Sequence, residues 1–204
     1  MMKGMRWGAA AVALGVALAQ PIEAQQKAVS LTIRGGGFNA LTSLNEPSTA
    51  DFKQVGYNLG GSVGVDLSRY VALRGDFTFA RNELELNDTA TGSDLNRFFY
   101  DAALQVQYPA ASGWTPYAFV GAGAVTLDPE GSDNAKTKVA GTAGLGLSYA
   151  IPGTNLGIGL EGKGWLYDFS ELNGSLSAFD KTQFEITWSA GVSYRIPIGA
   201  ASPI

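Results

Sequence analysis

Val55, Tyr57, Leu59, Gly61, Val63, Val65 and Leu67 alternate one by one with Gln54, Gly56, Asn58, Gly60, Ser62, Gly64 and Asp66. Successive side chains of a strand point to opposite faces, so this stretch has one greasy face and one small, polar face. About eight stretches of the chain repeat the pattern: roughly 28–38, 53–67, 70–83, 96–108, 114–127, 138–149, 156–167 and 182–197. Most reach the 9–11 or so residues that a tilted strand needs to cross a bilayer, whereas soluble strands are commonly about five or six. Two architectures satisfy such a pattern. A soluble sandwich turns the apolar face inward, and a membrane barrel turns it towards lipid.

The links between the stretches decide for the barrel. Long polar segments at 39–51, 84–95, 128–137 and 168–181 alternate with short ones at 68–69, 109–113 and 150–155. Outer-membrane barrels have this asymmetry, with short periplasmic turns, longer external loops and an even strand count. Closure also removes sheet edges, which lipid cannot hydrogen-bond. The expected fold is therefore all-β: an eight-stranded antiparallel up-and-down transmembrane barrel.

A targeting segment agrees with that location. Lys3 and Arg6 precede an apolar run from Trp7 to Ala19, and small residues offer cleavage after Ala24 or after Ala19. A membrane anchor is the competing reading, but the run is shorter than the ~20 residues of a spanning helix. Residues 1–24 are expected to be a cleaved signal peptide and 25–204 the barrel. Of the chain's 14 cations and 18 anions, Lys3, Arg6 and Glu23 leave with the peptide; 12 and 17 remain, a net of −5. A mildly acidic product does not point to nucleic acid.

Charge placement fixes which face is which. The expected lipid face carries Val29, Leu31 and Ile33; Leu73, Phe77 and Phe79; Tyr117 and Phe119; and Phe184 to Ile196 in steps of two. Its charges lie only near the outer rim, at Lys53, Arg81 and Glu83. Tyr108, Trp114, Tyr149 and Tyr194 stand near strand ends, as an interfacial girdle requires. Arg34, Arg74, Asp76, Asp101, Glu161 and Lys163 fall on the other face at similar depth, three of each sign. Enclosed charges are costly unless paired, so a salt-bridged and filled lumen is expected.

Catalysis finds little support. The chain has no histidine and no cysteine, which removes the histidine-based triads and the usual zinc and thiolate ligands. Asp76 with Asp101 could divide acid and base roles, but the neighbouring arginine and lysine satisfy them more simply. Gly35 to Gly37 and Gly121 to Gly123 are not followed by a helical pattern, so neither reads as a phosphate loop. Asp128 to Asp133 could hold calcium but lacks the EF-hand spacing. No cofactor and no metal are expected.

Three segments resemble a known family. Trp114-Thr-Pro-Tyr-Ala-Phe-Val-Gly-Ala-Gly123 and Leu160-Glu-Gly-Lys-Gly-Trp-Leu-Tyr167 look like strands of the OmpA-like eight-stranded outer-membrane barrels, the outer membrane protein beta-barrel domain group. Gly191, Tyr194 and Ile196 resemble that family's signal for the barrel-assembly machinery. Here the chain runs on from Pro197 to Ile204, and Ile196 stands where an aromatic is commoner. The resemblance covers about 28–197. It implies an address in the outer membrane and contact with its lipids and lipopolysaccharide. It also implies recognition by the assembly machinery through strand augmentation. A chain ending at residue 204 is not expected to tether the cell wall as longer relatives do. The expected role is a non-enzymatic envelope barrel whose loops meet an unidentified surface partner; a small porin-like channel for polar or amphipathic solutes is the alternative.

Overall fold

The computed structural model describes residues 27–42, 50–52, 55–86, 89–129, 135–168 and 182–198. Eight long strands form the barrel: β1 (Lys27–Ala40), β2 (Gly56–Asp66), β3 (Val71–Leu86), β4 (Thr89–Gln107), β5 (Trp114–Pro129), β6 (Lys136–Ala150), β7 (Leu156–Asp168) and β8 (Thr182–Ile198). Each pairs antiparallel with its neighbours in sequence, and β1 pairs with β8 from Lys27↔Ile198 to Ala40↔Glu185, so the sheet closes on itself. The signal peptide lies outside the described residues.

The short links are tight turns. At the first, the Ser68 hydroxyl accepts from the N–H groups of Tyr70 (3.2 Å) and Val71 (3.0 Å). In the second, Gly113 takes φ of +86°, a conformation in which a side chain would be strained. In the third, Thr154 Oγ1 donates to Ile151 O at 2.9 Å and accepts from Leu156 N at 3.1 Å.

Segment 84–95 departs from the expected long loop. β3 and β4 continue as a paired hairpin to Leu86 and Thr89, with a register shift between Glu83 and Glu85. A short strand, Ala50–Phe52, adds to Leu84–Leu86. The charges of Glu83 and Glu85 make this segment look loop-like in sequence. Beyond the membrane, however, a hydrogen-bonded ladder needs no apolar face.

The faces are arranged as a membrane barrel requires. Leu59, Phe77, Leu145, Leu160 and Trp188 are exposed on the outside, with Ile33 and Leu145 each at 70%. Arg74, Asp76, Asp101 and Lys163 are buried within. At the end with the short turns, Tyr70 stacks on Tyr108 at 6.3 Å and Trp114 meets Tyr149 at 4.8 Å. These rings are amphipathic, which suits the interfacial depth.

One strand sits the other way round from expectation. Tyr117 and Phe119 face the lumen, and Trp114, Ala118 and Val120 face outward. In β5 both faces are apolar or small, so alternation alone does not fix the phase. Two inward cations decide it: the Arg74 guanidinium lies 4.3 Å from the Phe119 ring centre and Lys163 Nζ lies 5.5 Å from it.

Candidate functional site in the barrel lumen

The lumen has three levels, counted from the end of the short turns. The middle level holds all six charged residues singled out from the sequence. Arg34 (β1) reaches Asp76 (β3) at 2.9 Å and also bonds Glu161 (β7) and Ser62. Arg74 (β3) grips Asp76 through Nε at 2.8 Å and Nη2 at 2.6 Å, and donates to Glu161 at 2.8 Å. Tyr117 Oη adds a third donor to Glu161 at 3.0 Å.

Asp76 and Asp101 are direct cross-strand partners, an unfavourable arrangement of like charges. Lys163 offsets it from across the barrel. Its Nζ lies 2.7 and 2.8 Å from the two Asp101 oxygens and 3.6 Å from Asp76. Small inward residues leave room for these long side chains. A Cβ on Gly144 would come within 2.3 Å of the Phe119 ring, and one on Gly146 equally close to the Tyr117 ring.

The outer level is a dry core that the sequence reading did not anticipate. Phe38, Leu95, Phe99, Val125, Leu127, Trp165 and Tyr167 form one buried cluster. The Phe99 and Trp165 rings stack at 4.2 Å between centres. Beside it a second, fully buried ion pair joins Arg97 Nε to Glu185 Oε1 at 2.9 Å. The Arg97 guanidinium also bonds Asn82 Oδ1 and lies 5.0 Å from the Phe38 ring centre. Parity could have found this pair: Arg97 is in phase with inward Asp101, and Glu185 with inward Ser189.

The inner level is hollow, a cavity of about 240 Å³. Gly191 faces the lumen beside Arg34, while Tyr194 and Ile196 are exposed on the outside of β8 near its end. Among the described residues no group of three or more carboxylates is gathered as a metal site. Asp94 is paired with Arg81, and Asp128 and Asp168 lie at strand ends. The residues of the Asp128–Asp133 segment after Pro129 lie outside the described residues.

A closed antiparallel barrel with lipid-facing apolar residues and an ionic interior agrees with the sequence profile of the outer membrane protein beta-barrel domain, which matches residues 9–195. The chain belongs to that family. Its place is the cell outer membrane. Among solved structures, Neisserial surface protein A is 18% identical, covering 83% of this chain and 97% of its own, with a TM-score of 0.52. The outer membrane protein OprG from Pseudomonas aeruginosa is 16% identical (85% and 98% covered, TM-score 0.48). Ail, the attachment invasion locus protein of Yersinia pestis, is 16% identical (83% and 97% covered, TM-score 0.46). At such identities the likeness shows the fold alone. No curated protein matches the chain.

Proposed function

We propose that this protein is a non-enzymatic, non-conducting outer-membrane barrel that carries its external segments as a surface-interaction platform. The observation that carries the reading is the double seal of the lumen. An ion layer of Arg34, Arg74, Asp76, Asp101, Glu161 and Lys163 crosses the middle, and the Phe38–Phe99–Trp165 cluster fills the outer half. Both carboxylates that could have acted as an acid–base pair are engaged by cations. Lipid and lipopolysaccharide would surround the apolar belt. Gly191, Tyr194 and Ile196 would present the last strand to the assembly machinery.

Planar-bilayer recording of purified protein tests the seal. A quiet trace is expected, and stable nanosiemens-scale steps would establish the porin-like alternative instead. Replacing residues 169–181, the long polar link between β7 and β8 in the sequence, by a short glycine–serine link, with folding checked by the heat-dependent gel shift, tests the platform. Surface binding is expected to fall while the barrel still assembles.

A further inference from the structure

Below the ion layer the barrel is open towards the periplasmic turns, and the chamber there has a definite chemistry. Four lumen-facing glycines, Gly64, Gly157, Gly159 and Gly191, create its space. One wall is a continuous hydrogen-bond chain. Arg74 Nη1 donates to Gln105 Oε1 (3.2 Å), Gln105 Nε2 to Gln107 Oε1 (2.8 Å), and Gln107 Nε2 to Asp66 Oδ1 (3.3 Å); Arg195 closes the chain on Asp66. The charges of the ion layer that roofs it are likewise committed to one another, Arg34 and Arg74 to Asp76 and Glu161.

The flanking stretches of wall differ. Thr32 and Ser193 are cross-strand partners on β1 and β8, next to Ser30; Thr115 faces Ser148 across β5 and β6. The hydroxyls of Ser30, Thr32, Thr115 and Ser193 line the chamber and make no side-chain hydrogen bond to a described residue. A hydroxyl both donates and accepts, so it matches another hydroxyl better than it matches an ion. With every chamber charge already paired, an anion or cation finds no counter-charge. The volume of about 240 Å³ lies below the roughly 300–1,000 Å³ of drug-sized sites.

We propose that this chamber is a dead-end binding pocket, open to the periplasm, for a small neutral polyhydroxylated solute of monosaccharide size. The test is titration of isotope-labelled protein in lipid nanodiscs, which leave both faces accessible, with D-glucose and separately with sodium sulfate. Glucose is expected to shift the amide resonances of Thr32, Thr115 and Ser193 saturably and to leave Phe99 and Trp165 unmoved; sulfate is expected to shift none of them. Ser193→Phe, which fills the space, should weaken glucose by about tenfold or more, because the ligand loses its seat. Thr32→Val removes one hydroxyl at nearly constant volume and should weaken it about two- to tenfold, the value of one neutral hydrogen bond. The idea is overturned by an unsaturable glucose response, by an equal response to sulfate, or by unchanged affinity in folded Thr32→Val. Shifts that extend to Phe99 would mean a through-path and would overturn the dead end. Conductance reads the outer seal and glucose reads the chamber, so the two proposals fail separately.

Discussion

Lys163 is the side chain on which the middle of the lumen turns, and replacing it by methionine isolates its charge from its bulk. The methionine keeps most of the stem between the Phe119 and Trp165 rings but removes the cation from between Asp76 and Asp101. Asp76 retains Arg34 and Arg74. Asp101, whose side chain is 2% exposed, loses the cation that holds it and still faces Asp76. Breaking a buried pair by removing one partner costs about 3–5 kcal/mol, and this site is dry enough to reach that range. Asp101→Asn, which leaves the ammonium only the longer 3.6 Å contact to Asp76, should cost a similar amount.

The double variant Lys163→Met/Asp101→Asn restores neutrality to the layer. It should cost less than either single change, about 1–3 kcal/mol, because an unpaired amide remains. The assay is urea unfolding of the barrel in lipid vesicles, followed by tryptophan fluorescence and by the heat-dependent gel shift. Additivity of the two single effects within about 0.5 kcal/mol would refute the argument, since it would show that the charges do not sense each other.

Other outcomes follow from the same geometry. Trp165→Ala removes the ring stacked on Phe99 and should cost about 3–5 kcal/mol in the same unfolding assay; planar bilayers should also show new brief openings, because the outer plug is thinned. Leu145→Arg puts a cation on the exposed lipid face at the height of the ion layer and should destabilise by about 2–4 kcal/mol, with slower membrane insertion as a second readout. Gly144→Val drives its side chain towards Phe119 and the Gly162 carbonyl and should lower stability by about 1–3 kcal/mol, whereas a valine at Gly162, which points into open space, should not.

Period-two alternation and the alternating link lengths were sufficient for strand number, closure and the outward greasy coat, because those properties repeat along a single strand. The same rule put Arg74, Asp76, Asp101, Glu161 and Lys163 on one face. It read poorly where both faces are apolar, as in β5, and where charge stands outside the membrane, as in the hairpin of Glu83 and Asp94. It also left Arg97 and Glu185 unread, although both are in phase with inward neighbours.

The chain itself determined a two-faced ribbon of eight passes with an ionic side and an oily side, since a side chain's direction along a strand is a local property. Only the closed tertiary structure decided which ions meet. Arg34 and Glu161 are 127 residues apart and come together because β1 joins β8 and the barrel is narrow enough for their side chains to span it. The same closure set aromatic rings above the ion layer and a hollow below it, because the filling of a cylinder depends on what faces across it. No local pattern contains that information.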